Sequence, residues 1–161
     1  MLYLCDQRIV LASWPVSTAL AGVGNEKNSG KTPLGCHLIR AKIGEGQPTG
    51  TVFVGRRPTG ECYSAELAQQ YPERDWILTR ILWLCGNEVG YNRLGQVDSM
   101  RRYIYIHGTP DTEPMGVPKS HGCIRMRNQD VEALFDCVSA GMPIEIIESA
   151  FIESVVDDST E

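Results

Sequence analysis

The segment SHGCIRM at residues 120–126 places a thiol between an imidazole and a guanidinium, directly after a glycine. His121 and Gly122 precede Cys123, and Arg125 follows it by two positions. A thiolate is a strong nucleophile, but an ordinary cysteine is mostly protonated at neutral pH. A catalytic cysteine therefore needs a base and positive charge nearby, and this segment offers both. The pattern indicates nucleophilic catalysis by Cys123.

Two histidines are candidates for the base, His107 and His121. His107 ends an apolar strand and precedes Gly108, whose carbonyl can accept a hydrogen bond from one imidazole N–H and leave the other nitrogen free. We expect His107 to ionise the Cys123 sulfur near neutral pH, which would make it the fastest-reacting of the thiols in the chain.

Gly122 gives the turn its conformational freedom, since glycine accepts backbone angles that other residues resist. A tight turn here predicts an oxyanion hole formed by the backbone N–H groups of Gly122 and Cys123. If the chain leaves the turn extended, Arg125 shares a face with Cys123 and either favours the thiolate or binds a substrate carboxylate.

Two other interpretations of these residues remain open. A single cysteine is more often a buried structural residue than a nucleophile. Alternatively, His107, His121 and Cys123 could bind zinc, although no fourth ligand and no paired CxxC or HxxH spacing is present. We predict no metal and no cofactor.

The composition excludes some classes of partner. The chain has 161 residues and a net charge of −5, and its basic residues are scattered, so nonspecific nucleic-acid binding is not expected. The six cysteines are predicted to be free thiols in a reducing compartment, with Cys5, Cys62, Cys85 and Cys137 behaving as small apolar residues. They are Cys5, Cys36, Cys62, Cys85, Cys123 and Cys137.

The apolar stretch at residues 9–23 resembles a secretory signal, with an Ala19-Leu20-Ala21 box at its end. However, no basic region precedes it, Ser and Pro interrupt it, and it is too short to span a bilayer as a helix. We therefore interpret it as strands and expect a cytoplasmic protein that does not bind membranes, with the periplasm as the alternative.

Hydrophobic periodicity predicts one mainly β domain at residues 1–150 and an acidic, solvated tail at residues 151–161. The predicted strands are residues 2–5, 8–14, 36–43, 51–57, 75–86, 101–108 and 144–147. A short helical segment is predicted at residues 61–71. The clearest helix is predicted at residues 129–140, with Asn128 as its cap and Val131, Leu134, Phe135 and Val138 as its apolar stripe.

The predicted strand at residues 101–108 places Tyr103, Tyr105 and His107 on one face. Tyr105 is therefore a candidate for the lining of the site. The helical segment at 61–71 and the polar loop at 87–99 are expected to flank it.

The whole pattern resembles the L,D-transpeptidase catalytic domain, also called YkuD. That family's signature is a histidine, a spacer and Ser-His-Gly-Cys-x-Arg, which reads here as HGTPDTEPMGVPKSHGCIRMRN at residues 107–128. The segment SGKTPLGCHLI at residues 29–39 is similar to a second family element, although His37 stands where an aromatic residue is usual.

The resemblance implies a β-sandwich or barrel-like mixed sheet, with a helix after the active-site loop. It implies that Cys123 is the nucleophile, that His107 is the general base and that the Gly108 carbonyl orients the imidazole. It also implies a set of residues that support the loop or shape the oxyanion and substrate region: Ser120, His121, Gly122 and Arg125.

The implied reaction is attack on the L,D peptide bond between meso-diaminopimelate and D-alanine in a peptidoglycan tetrapeptide or muropeptide. Water as acceptor gives an L,D-carboxypeptidase, and an amine gives a transpeptidase. We expect the carboxypeptidase, acting on recycled fragments in the cytoplasm, with transpeptidation or a non-catalytic fragment-binding protein as alternatives. The resemblance also implies covalent inhibition by carbapenems.

Overall fold

The computed structural model describes residues 1–148, which form nine strands and two α-helices. The strands are β1 (Leu2–Asp6), β2 (Ile9–Trp14), β3 (Gly35–Ile43), β4 (Thr51–Val54), β5 (Arg57–Cys62), β6 (Ile77–Gly86), β7 (Tyr105–Thr109), β8 (Ile124–Arg127) and β9 (Pro143–Ile146). The helices are α1 (Ala65–Gln70) and α2 (Asn128–Cys137).

Strands β1 and β2 form an antiparallel pair of their own, and the other seven strands form one mixed sheet. The main path through this sheet is β5-β4-β6-β3-β9, and β7 pairs with both β6 and β8. Every pair is antiparallel except β7 with β8. A parallel pair needs a crossover of about a dozen residues or more, and residues 110–123 supply it.

The helix α2 covers one face of the strands that carry the candidate site. Its buried side chains join the largest core cluster together with Ile106, Ile124 and Met126 of the parallel pair. Because side chains alternate along a strand, the residues between these apolar ones point to the opposite face. The predicted apolar stripe is confirmed, since all four of its members are buried: Val131, Leu134, Phe135 and Val138.

The predicted mainly β fold, with a mixed sheet and a helix after the loop, is confirmed. The predicted strand at 51–57 is wrong in detail, because it is a hairpin of β4 and β5. Gly55 and Arg56 form its turn with φ of 55° and 65°, as a two-residue type I′ turn requires. The strand β8 was not predicted.

The predicted cap of α2 is also wrong. Arg127 holds the cap position without a side-chain hydrogen bond, and Asn128 is the first helical residue. The Asn128 side chain is buried, where it donates to the Thr109 carbonyl at 3.0 Å and accepts from Thr79. It therefore links α2 to β6 and β7.

All six cysteines are free, and four of them, Cys5, Cys36, Cys62 and Cys137, are exposed. The expectation that Cys5, Cys62 and Cys137 act as small apolar residues is therefore wrong. Within residues 1–148, no helix has the length and apolarity needed to cross a membrane. The domain boundary at residue 150 stays a prediction, and the tail at residues 151–161 lies outside the described residues.

Candidate active site

The parallel pair of β7 and β8 brings the predicted site residues together. Its register places His107 beside Arg125 and Ile106 beside Ile124. Cys123 immediately precedes β8, and Tyr105 is two residues before His107 on the same face. The four side chains of Tyr105, His107, Cys123 and Arg125 therefore project from one face of two adjacent strands.

These side chains line a cavity of about 500 Å³. The complete lining is Gly55, Arg56, Asp75, Ile77, Tyr103, Tyr105, His107, Ser120, His121, Cys123 and Arg125. The segment at 61–71 and the loop at 87–99 contribute no residue to this lining, and their flanking of the site stays a prediction. Tyr103 lies in a turn before β7, with a φ of 56°, and reaches the cavity from there rather than from a strand.

His107 is held in one tautomer by its neighbour. Its Nδ1–H donates to the Gly108 carbonyl at 2.7 Å. Burial lowers the pKa of His107, although the Gly108 carbonyl and the Asp75 charge act in the opposite direction. The imidazole is therefore neutral at pH 7, and its Nε2, which makes no hydrogen bond within the described residues, is available as a base.

An irregularity in β6 shapes the strand that carries His107. Leu78 pairs with Gly108 and Ile81 pairs with His107, so Thr79 and Arg80 form a bulge. Thr79 adopts a φ of 72°, a strained value for a β-branched residue.

Gly108 is required by this close packing. A Cβ at residue 108 would lie 2.6 Å from the Leu78 carbonyl oxygen and 2.6 Å from Asn128 Oδ1. The glycine thus allows β6 and α2 to approach the backbone whose carbonyl orients the imidazole.

The Cys123 sulfur contacts the backbone that leads into β7. Its S–H donates to the Tyr103 carbonyl at 3.4 Å, and the Tyr105 N–H donates to the sulfur at 3.4 Å. Burial raises the pKa of the Cys123 thiol to about 11. The charge of Asp75 also raises this pKa, whereas the Tyr105 N–H, Arg125 and Arg102 lower it.

This raised pKa disagrees with the resting thiolate that the sequence predicts. At neutral pH a thiol with this pKa and an imidazole with a lowered pKa are both uncharged. The structure brings Cys123 and His107 to one cavity, but no hydrogen bond joins them in the described part of the chain. Catalytic hydrogen bonds are often long in substrate-free enzymes, so proton transfer remains possible in a complex.

The loop before the sulfur is closed by its own hydrogen bonds. The buried Ser120 hydroxyl donates to the Cys123 carbonyl and accepts from the Gly122 N–H at 3.2 Å. The Thr32 hydroxyl donates to the Gly122 carbonyl at 3.0 Å, which connects the segment at 29–39 to the loop that carries the SHGCIRM motif. Gly122 has a φ of 133°, as expected for a residue that must turn the chain here.

The predicted oxyanion hole is only partly available. The Gly122 N–H is occupied by Ser120, so it does not point freely into the cavity. The Cys123 N–H makes no hydrogen bond within the described residues and remains a donor for a developing oxyanion. His121 is exposed at the rim of the cavity.

Arg125 is paired with a residue that the sequence did not single out. Its Nη2 donates to Asp75 Oδ1 at 2.9 Å, and the two side chains are 12% and 52% exposed. The Arg125 Nε is buried without a hydrogen-bond partner, and no other side-chain nitrogen or oxygen in residues 1–148 is in that condition.

Arg56 is the second lining residue that sequence reasoning missed. Its Nη1 donates to the Tyr105 hydroxyl at 3.0 Å, and its guanidinium lies 4.7 Å from the Trp83 ring centroid and 5.0 Å from that of Tyr103. Gly55 was the available signal, because a glycine in an alternating pattern predicts a turn.

His37 is not part of the site. It is fully buried, and its ring bonds the Gly35 carbonyl at 2.9 Å and the Ser99 hydroxyl at 2.8 Å. Its role is that of a satisfied core histidine. The described residues also contain no group of three or more His, Cys, Asp or Glu side chains placed to hold a metal ion.

Comparisons with known proteins show the family to which the chain is similar. A family model for the L,D-transpeptidase catalytic domain, YkuD, matches residues 1–146. The probable L,D-transpeptidase ErfK/SrfK of Salmonella typhimurium is 41% identical over 59 residues, which cover 37% of this chain and 19% of that protein. The probable L,D-transpeptidase YbiS of Escherichia coli K12 is 40% identical over 47 residues, which cover 29% and 15%. The matches thus span less than a fifth of each relative's length.

Solved structures of L,D-transpeptidases are also similar to this chain. L,D-transpeptidase 3 from Mycobacterium tuberculosis is 18% identical with a TM-score of 0.47, and the match covers 84% of this chain and 44% of that chain. The LD transpeptidase LdtMt1 in complex with imipenem is 22% identical with a TM-score of 0.46, and the match covers 86% and 50%.

Proposed function

We propose that this chain, which belongs to the L,D-transpeptidase catalytic domain family, cleaves the L,D peptide bond between meso-diaminopimelate and D-alanine in peptidoglycan tetrapeptides. The observation that carries the proposal is the shared face of Cys123, His107 and Arg125 in one cavity. A nucleophile, a neutral base with a fixed tautomer and a guanidinium are the parts that acyl transfer from a carboxylate-bearing peptide needs.

The reaction starts with the Cys123 thiol and the His107 imidazole both uncharged. The Cys123 sulfur bonds to the carbonyl carbon of diaminopimelate while its proton passes to His107 Nε2. The oxygen becomes an oxyanion, which the Cys123 N–H stabilises. The C–N bond then breaks, the imidazolium returns its proton to the amine, and D-alanine leaves. A thioester between Cys123 and the peptide remains.

Water is the acceptor in this proposal. Asp75, Tyr103 and His121 at the rim of the cavity are exposed, so solvent can reach the thioester. His107 removes a proton from the water as its oxygen bonds to the carbonyl carbon. The C–S bond breaks, the imidazolium returns its proton to the sulfur, and the tripeptide leaves as a carboxylate after its new carboxyl group loses the second water proton to solvent. The activity would be that of an L,D-carboxypeptidase.

We place this activity in the cytoplasm, in the recycling of peptidoglycan fragments. The supporting observation is that all six cysteines are free and four are exposed. Exposed thiols persist in reducing compartments and oxidise elsewhere. Detection of the native protein in cell fractions tests this, and its recovery from the periplasm would contradict it.

Mass spectrometry of products from a purified disaccharide tetrapeptide tests the reaction. We expect loss of D-alanine with wild-type protein, no loss with Cys123→Ala, and normal loss with the control Cys137→Ala. Exchange of an added D-amino acid, or a cross-linked product, would instead indicate transpeptidation. Binding without turnover in the wild type would indicate a non-catalytic fragment-binding protein.

A further inference from the structure

The pairing of Asp75 with Arg125 is not explained by the proposed chemistry. A carboxylate beside the nucleophile opposes thiolate formation, and its charge acts in that direction here. The Asp75 side chain is 52% exposed, and exposed ion pairs contribute little to stability. The same charge raises the pKa of His107 and so favours the imidazolium of the proposed step, but neither effect requires the contact between Asp75 and Arg125.

Both members of the pair retain unused bonding capacity. Arg125 uses Nη2 for Asp75, and its Nη1 makes no hydrogen bond within the described residues and is not among the buried unpartnered atoms. Asp75 accepts through Oδ1, and its Oδ2 makes no hydrogen bond within the described residues. The site thus offers a cationic donor to a carboxylate and, immediately beside it, an anionic acceptor to an ammonium.

Adjacent opposite charges complement a ligand whose own opposite charges are adjacent. We propose that Asp75 and Arg125 recognise a zwitterionic amino-acid head group, the ammonium bound by Asp75 and the carboxylate by Arg125. Ile77, two residues after Asp75 and also in the cavity lining, offers apolar surface to a methylene chain that leads to this head group.

This inference rests on the proposed function for its choice of ligand. The side chain of meso-diaminopimelate ends in a free ammonium and a free carboxylate on one carbon, three methylenes from the reacting centre. The terminal D-alanine carries a carboxylate alone, because its nitrogen belongs to the scissile amide. Only the diaminopimelate end satisfies both Asp75 and Arg125.

Calorimetric binding to Cys123→Ala protein, which cannot turn over, tests the recognition by itself. Three tetrapeptides serve as probes: the free diaminopimelate peptide, the same peptide acetylated on the side-chain amine, and the same peptide with a side-chain carboxamide. In the Cys123→Ala protein, the second substitution Asp75→Asn should weaken binding of the free peptide and of the carboxamide peptide. The expected loss is roughly ten- to a hundredfold, the range for a charge-assisted hydrogen bond. Asp75→Asn should leave binding of the acetylated peptide unchanged, and Asp75→Glu should restore part of the loss.

Glu73→Gln is the matched control, since it removes an exposed carboxylate two residues away that does not line the cavity. It should not change any affinity. Equal weakening of all three peptides by Asp75→Asn, or no weakening, or no binding of the free peptide, would overturn the proposal. Failure of the proposed function would appear differently, as selective binding without release of D-alanine by the wild-type protein.

Discussion

Alkylation of Cys123 by iodoacetamide is expected to be slow at neutral pH. With the pKa of this thiol at about 11, roughly one molecule in 10⁴ carries a thiolate at pH 7. A free cysteine with a pKa of about 8.5 is about 3% ionised, so the thiolate population differs by about 300-fold. The more basic thiolate is about tenfold more nucleophilic at a Brønsted slope of about 0.4–0.5. The net expectation is a rate about 20- to 30-fold below that of free cysteine, before any shielding.

The assay is time-resolved alkylation between pH 6 and pH 11, followed by peptide mass spectrometry. Exposed Cys5 and Cys137 serve as internal references, and Cys123→Ala protein confirms the assignment of the modified peptide. The rate at Cys123 should rise with pH toward 11, because a raised pKa delays ionisation to high pH. This order of reactivity reverses the one expected from the sequence.

Two results would refute this reasoning. An inflection near pH 7 at Cys123, with labelling faster than at the exposed thiols, would mean that His107 already holds the proton in the resting protein. The substitution His107→Ala separates the two cases as well. It should hardly change the resting alkylation rate if both groups are neutral, and it should slow the rate strongly if they form an ion pair.

Three further outcomes are expected. His107→Ala should lower kcat for D-alanine release by roughly 10²- to 10⁴-fold, the range for a general base, with little change in calorimetric peptide affinity; an unchanged kcat would remove His107 from the mechanism. Gly122→Ala should destabilise the protein by about 1–3 kcal/mol in chemical denaturation. It should do so more than Gly116→Ala, because both glycines have positive φ but only a Cβ at 122 meets neighbours, 3.3 Å from the Ile104 side chain. A carbapenem should add its mass to the Cys123 peptide, and a modified Cys123→Ala protein would place the reaction elsewhere.

The parts of the site that the sequence predicts are those that depend on residues close together in the chain. His107 and the Gly108 carbonyl are adjacent in the chain, so their hydrogen bond follows from local geometry. Cys123 and Arg125 share a face because extended residues alternate. Both relations are present in the structure, and both required knowledge of only a few consecutive residues.

The parts that the sequence does not predict depend on distant segments. The ionisation of Cys123 is set first by burial, which involves the whole sheet rather than the SHGCIRM motif. Asp75 reaches the cavity from the segment just before β6, and Arg56 reaches it from the β4–β5 turn, both far from the SHGCIRM motif in the chain. Asn128 is of a residue type typical of helix caps, but its side chain instead accepts a hydrogen bond from the buried hydroxyl of Thr79.

The charges around Cys123 connect binding of the diaminopimelate head group to ionisation of the Cys123 thiol. After burial and the Tyr105 N–H, the charges acting on the sulfur are the carboxylate of Asp75 and the guanidiniums of Arg125 and Arg102. A ligand ammonium bound to Asp75 would offset the one negative charge that the described part of the chain places against the thiolate. Peptides acetylated on the side-chain amine are therefore expected to lose kcat as well as affinity, which rates of D-alanine release at saturating peptide measure. A raised KM with unchanged kcat would show that the head group only binds, and that His107 activates the sulfur without its help.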